Sequence, residues 1–167
     1  LREFAKKQNI PFIILGGGSN ILFADEGYPG LIIHNKMTRM HIQGEIVNVE
    51  SGVNLTKMIL IAAQHNLGGI SGLANVPGSV GGAVYGNAGT PDVCIGDILT
   101  HAVILPANGD KTVIVGPEYF QFGYRDSKIK KNKDIVLSVV LRLRKEPSVK
   151  IRAEINQYIK ERPLKQP

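Results

Sequence analysis

Between Gly68 and Gly89 the chain reads GGISGLANVPGSVGGAVYGNAG, eight glycines in 22 residues. That density constrains the fold more than anything else in the sequence. Glycine loses more backbone freedom on folding than any other residue, and fixing one residue costs about 1–2 kcal/mol. Apolar residues are threaded through the segment, among them Ile70, Leu73, Val76, Val80 and Val84, so it is not a low-complexity linker. It is expected to pack as an ordered loop with short helical pieces, with a bound ligand offsetting the cost of ordering it.

A second glycine run lies upstream in IPFIILGGGSN, residues 10–20. A strand ending in Gly16, Gly17 and Gly18 can turn sharply and expose successive backbone N–H groups, a concavity suited to phosphate. Ser19 and Asn20 add side-chain donors. The run is not G-x-G-x-x-G and no helix follows at once; ILFAD reads as another strand, which disfavours a helix-dipole dinucleotide site. A glycine turn in a tight hairpin is the alternative. Glycine joined to Ser79 and Asn87 in the second segment favours one large ligand clamped between both loops.

The rest of the chain alternates helical and extended patterns. LREFAKKQN is helical and stops at Pro11. FIIL and LIIH are short strands, and HIQ with EIVNVE forms a hairpin about Gly44. Asn54 is the expected N-cap of a helix burying Leu55, Met58, Ile59, Ala62 and Ala63. ILTHAVIL and KTVIV flank PANGD, whose Asn-Gly step signals a hairpin. GPEYFQFGYRDS is a helical turn and loop, and DIVLSVVLRLR is a long strand. A last helix from Pro147 carries Val149 (or Ile151), Ile155, Tyr158 and Ile159, and Pro163 is expected to end it. The order argues for α+β in two lobes, with a break near residues 50–54.

At 167 residues and 43% hydrophobic, the chain can bury a real core. No apolar run reaches the ~20 residues of a membrane span. One cysteine, Cys94, excludes an internal disulfide. The four histidines show no ligand spacing, so no metal site is expected. A cytoplasmic monomer fits. The net charge of +6 suggests an anionic partner. Lys128, Lys130, Lys131 and Lys133 read as a solvated turn before a strand, and no aromatic interleaving makes a nucleic-acid platform. His65 reads as a helix-end residue and Cys94 as a packing residue.

LGGGSNILFADEGYPGLII, GLANVPGSVGGAVYGNAG and FGYRDSKIK, in that order over essentially the whole chain, resemble the UDP-N-acetylenolpyruvoylglucosamine reductase (MurB) family of peptidoglycan-precursor flavoenzymes. The resemblance implies an α+β, two-lobed FAD-binding fold of the vanillyl-alcohol-oxidase type. Residues 1–50 would form the first lobe, residues 51–146 the second, and residues 147–167 a helix leading to a substrate domain. It implies that Leu15, Gly16, Gly17, Gly18, Ser19 and Asn20 wrap the FAD pyrophosphate. Gly78, Ser79, Gly81, Gly82, Ala83, Asn87, Ala88 and Gly89 would cover the rest of the diphosphate and approach the flavin.

The implied reaction uses NADPH to reduce FAD, then passes hydride to the enol ether of a UDP-sugar. The arginine of GYRDS, Arg125, would stabilise the enolate-like charge, with Tyr124 as pocket wall or hydrogen-bond donor and Ser127 structural. A surface arginine paired to Asp126 or Glu118 is the plainer reading of the same residue. The family's proton-donating serine lies in a GSxFK segment beyond a lead-in like ERPLKQP, and a glutamate assists it; neither role falls on a residue of this sequence. The chain is expected to be a piece of a longer protein, lacking the family's first strand and helix and much of the UDP-sugar domain. NVPG replaces the commoner GIPG, and TPDVCIGD follows NAG in place of an aromatic and glycines. The alternatives are another FAD-binding oxidoreductase subunit of the same fold class and a catalytically inactive truncated homologue.

Overall fold

A computed structural model describes residues 1–165, with side-chain surroundings through Glu161; Gln166 and Pro167, the end of the ERPLKQP stretch, lie outside the described residues. Helix α1 (Arg2–Lys7) opens the chain. Its Ala5 is fully buried. Arg2, also buried, donates to the carbonyls of Pro106 and Ala107 at 2.6 and 2.7 Å, and Lys6 donates to Ala107 as well. The first helix is thereby pinned to the PANGD turn a hundred residues away.

Strands β1 (Phe12–Leu15) and β2 (Leu31–His34) pair in parallel, with Phe12 opposite Leu31 and Leu15 opposite His34. Parallel strands need a crossover of a dozen residues or more, and residues 16–30 supply it without regular structure. The tight-hairpin alternative for the glycine run is excluded, because a hairpin would make the two strands antiparallel. The expected ILFAD strand is likewise not formed. Ile21 and Phe23 are part-exposed and Leu22 is 97% exposed, since the crossover offers that segment no strand to pair with.

A five-stranded antiparallel sheet forms the centre. Strands β3 (Met40–Gln43) and β4 (Ile46–Glu50) make the expected hairpin, with Gly44 at φ +60°. Beyond the two-residue β5 (Leu67–Gly68) come β6 (Leu99–Leu105), β7 (Val113–Val115) and β8 (Ile135–Arg142). The order is β3-β4-β8-β6-β7. Sheet pairing changes between His34 and Met40: β1 and β2 pair only with each other, and β4 pairs with β8 along its whole length. A bulge leaves Leu137 without a partner on β6: Val103 faces Ser138 while Ile104 faces Val136. On its other side, the Leu137 carbonyl accepts the N–H of Ser51 at 2.9 Å, one step beyond the last β4–β8 pair.

Helix α2 (Leu55–Gln64) packs with Leu55, Met58, Ile59, Ala62 and Ala63 all at most 1% exposed. Its N-cap is Asn54, whose Oδ1 accepts the Lys57 N–H at 2.9 Å, and its C-cap is His65. The glycine-rich segment folds into a 3₁₀ turn (Ser71–Asn75) and helix α3 (Val80–Tyr85), followed by the short α4 (Ile95–Ile98). A second 3₁₀ turn (Pro117–Phe120) and α5 (Ile129–Asn132) lead into β8, and β9 (Arg144–Lys145) pairs with β5.

Helix α6 (Ser148–Lys165) runs through Pro163 instead of ending before it, with two described residues of helix beyond the proline. Of its expected apolar face, Ile151 and Ile155 are buried, while Val149 is 80% and Ile159 49% exposed. Tyr158 takes the inward place, against the position where Gly72 lacks a side chain. Among the described residues no helix is long and apolar enough to cross a membrane and no cluster could hold a metal ion.

Candidate functional site

The two glycine-rich segments meet. A Cβ on Gly16 would run into the Ser79 hydroxyl, and one on Gly17 would stand 3.1 Å from the Gly78 Cα. Gly78 has φ +127°, a backbone that side-chain-bearing residues rarely adopt, and its own missing Cβ would lie 3.3 Å from Ser19 Oγ. Gly18, at φ +71°, has open space around its Cα. The side chains are absent at Gly16 and Gly17 so that one turn can seat against the other.

Free donors from both segments lie at that junction. Among the described residues, the main-chain N–H groups of Gly17, Gly18, Ser19 and Asn20 donate to no protein acceptor, and neither do those of Gly78 and Ser79. The second segment is different farther along. The N–H groups of Val80 and Gly81 go to the carbonyls of Val53 and Ser51, at 2.9 and 2.8 Å, and that of Gly82 to Ser79 Oγ, at 3.3 Å. Those of Ala83, Asn87 and Ala88 go to Ser79, Val84 and Ala83. Gly81 lacks a side chain because Ser51 Cβ would be 2.8 Å away, and Gly89 because Cys94 Sγ occupies the space. Leu15 ends β1 with its carbonyl accepting from the Asn35 N–H at 2.8 Å.

Ser51 is the hub beneath the junction. Its N–H is held by the β8 bulge, its carbonyl takes the Gly81 N–H, and its hydroxyl accepts from Asn35 Nδ2 at 2.8 Å. Asn35 Oδ1 in turn accepts the Met37 N–H at 3.0 Å. Beside the hub opens a cleft of about 460 Å³ whose walls include Gly16, Gly17, Asn35, Gly52, Gly78 and Ser79. Sequence reasoning missed Ser51 and Asn35 in this role. The available signal was Gly52, whose Cβ would sit 2.5 Å from the Met37 carbonyl oxygen and 2.9 Å from Asn35 Oδ1.

Tyr124 and Arg125 stand elsewhere, on a turn closed by reciprocal bonds between Gly123 and Asp126 at 3.1 and 3.3 Å. Tyr124 is 94% exposed; Arg125 is exposed, with φ +53°. The Arg125 guanidinium pairs with neither Asp126 nor Glu118; Asp126 is taken by Lys130 at 3.8 Å, and Lys130 also donates to the Arg125 carbonyl. The turn is tied to the far end of α3. Asn87, at φ +43°, donates through Nδ2 to the Gly123 carbonyl at 3.0 Å and accepts the Gly96 N–H at 3.2 Å. Ser127, buried, donates to the Tyr85 carbonyl at 2.6 Å. Thus α3, six residues and about 9 Å long, separates a free-amide end from an end that presents an arginine and a tyrosine.

The remaining candidates take structural places. Cys94 caps α4, its N–H donating to Asp97 Oδ2 at 2.7 Å. Lys128 lies over the Tyr119 ring and Lys130 over the Tyr85 ring, at 4.5 and 5.6 Å, which ties the basic cluster to its own turn. The Tyr119 hydroxyl donates to Asp134, and that bond pushes its pKa above the ordinary tyrosine value.

The family model described as "FAD binding domain" matches residues 1–114. A UDP-N-acetylenolpyruvoylglucosamine reductase of Streptococcus agalactiae is 38% identical over 99% of the chain, and one of Thermotoga maritima is also 38% identical over 99%. The chain spans 55% and 58% of those two relatives' lengths. Among solved structures, the UDP-N-acetylenolpyruvylglucosamine reductase of Thermus caldophilus superposes with a TM-score of 0.83 at 31% identity, covering 98% of this chain and 60% of that one. The 6-hydroxy-D-nicotine oxidase of Arthrobacter nicotinovorans gives 0.66 at 21% identity, covering 86% and 33%, a likeness of fold alone. The expected α+β FAD-binding fold is the one found.

Proposed function

The chain belongs to the FAD binding domain family, and on that premise we propose that it is the FAD-holding part of a reductase acting on UDP-N-acetylglucosamine enolpyruvate in peptidoglycan precursor synthesis, with NADPH as hydride source. The observation that carries the reading is the pair of facing turns, Gly17–Asn20 and Gly78–Ser79, with unspent N–H groups and with glycines at Gly17 and Gly78 that let one turn seat against the other. Such a cradle fits a diphosphate, whose oxygens accept several N–H bonds at once and carry the charge that oriented amides favour.

The chemistry FAD supplies when bound is hydride transfer from NADPH to the enol ether. This chain's residues supply the setting. Ser51 and Asn35 fix the two turns against each other. Asn87 and Ser127 hold the turn that presents Arg125. Arg125 would stand against the substrate carboxylate and stabilise the negative charge that grows on the adjacent carbon; a guanidinium is always charged and grips a carboxylate in a fork. The exposed Tyr124 would be covered by substrate, as wall or donor. No residue of this chain is assigned the proton donation that follows.

The purified chain is expected to carry a flavin spectrum that NADPH bleaches without oxygen. In the complete enzyme, Arg125→Ala is expected to abolish reduction of the UDP-sugar while FAD stays bound. Normal turnover by that variant would remove Arg125 from the mechanism.

A further inference from the structure

The cleft beside the facing turns carries an unbalanced charge. Its walls bring Lys36, Lys57 and His34 to the same opening as Gly17 and Ser79. Among the described residues, no aspartate or glutamate lines it. The nearby Glu50 is already taken, accepting from the Arg39 N–H at 2.7 Å and from Arg39 Nε at 2.8 Å. Neither lysine ammonium has a protein partner among the described residues.

Both lysines sit where the backbone is held firmly. Lys57 lies in the first turn of α2, its N–H bound by the Asn54 cap. A cation there opposes the helix dipole, and that turn holds no acidic residue to balance it. Lys36 follows Asn35, whose N–H binds Leu15 and whose side chain binds Ser51 and the Met37 N–H. Both lysines are exposed, so solvent screens their mutual repulsion, but an anion entering the cleft meets two cations and no counter-charge.

We propose that Lys36 and Lys57 form a cationic clamp at this cleft that selects a diphosphate-bearing ligand over its unphosphorylated counterpart, the lysines supplying the charge and the free amides of the turns the fit. The clamp rests on the reading of the two turns as a diphosphate cradle. Neither lysine touches the reacting end of the molecule at Arg125, so the clamp governs which molecule is held and not what is done to it.

The test titrates the chain with FAD, ADP and adenosine at low and high salt, comparing the wild type with Lys36→Gln/Lys57→Gln. Lys111→Gln/Lys131→Gln, which removes the same charge at two equally exposed lysines outside the cleft, serves as control. With melting temperature unchanged, the cleft variant is expected to lose about tenfold in FAD and ADP affinity, to bind adenosine as before, and to show a flatter salt dependence. The control is expected to match the wild type. Wild-type binding of FAD with a cleft variant within about twofold, or an equal loss in the control, overturns the clamp alone. A wild-type chain that binds neither FAD nor ADP overturns the flavin reading and the clamp with it.

Discussion

Gly78 shows most sharply what single residues contribute. Its left-handed backbone and its closeness to Ser19 Oγ leave no comfortable place for even a methyl group. Gly78→Ala is expected to cost about 1–3 kcal/mol of stability and to weaken FAD binding, measured by denaturant unfolding and flavin titration; unchanged values in both would contradict the seating of one turn on the other. Glu50 gives a second residue-scale test. The Arg39 N–H, with help from the Arg39 guanidinium, holds its carboxyl below the ordinary carboxylate range. A lowered folded-state pKa adds stability that is present above the unfolded value and lost as the pH falls through the folded one. Glu50→Gln is therefore expected to flatten the acid limb of a stability-against-pH curve below about pH 4.5; an unaltered limb would place the acid sensitivity elsewhere. At this scale the candidate turn Gly16–Asn20 was legible as a sharp turn after a strand, although a tight hairpin fitted the same residues. The sequence did not announce Ser51, Asn35, Lys36 or Lys57. Their meeting depends on a parallel strand pair, a bulge at Leu137 and a helix start, none of which has a local signature.

The elements were legible wherever periodicity had one partner to satisfy. Helix α2 shows a 3.6-residue stripe and buries all of it, so Met58→Ala is expected to cost about 2–5 kcal/mol by thermal or chemical unfolding. A cost near zero would mean the helix does not pack as described. Periodicity failed where the partner was missing. ILFAD has a strand's composition but lies in the crossover, and Ile159 falls off the edge of a stripe that Tyr158 completes. Tyr158 anchors α6 to the loop after NAG: its hydroxyl donates to Asp92 Oδ2 at 2.6 Å, and that bond, with burial, raises its pKa to about 12. A raised folded-state pKa means the stabilisation is whole below about pH 10 and disappears as the pH rises toward the folded value. Tyr158→Phe is expected to speed amide exchange in residues 90–97 at neutral pH and to remove this hydroxyl's share of the alkaline stability loss; unchanged exchange would show that the loop is held by other contacts. The change of sheet pairing between His34 and Met40 was also hidden, because β3 and β4 form a local hairpin whose outer partner, β8, lies ninety residues on.

Across the whole molecule, the short helix α3 sets the spacing. Its start rests on Ser51 and faces the free amides; its end, through Asn87 and Ser127, carries the Tyr124–Arg125 turn. A ligand whose charge lies at a distance from its reactive ring suits that layout, and FAD, for which the matching family is described, joins its flavin to an adenosine through a central diphosphate. The most direct measurement is a crystal structure of the chain with FAD. The diphosphate is predicted to accept hydrogen bonds from the backbone N–H groups of the Gly17–Asn20 and Gly78–Ser79 turns. FAD bound with both turns bare, or turns that close on each other and exclude it, would contradict the account.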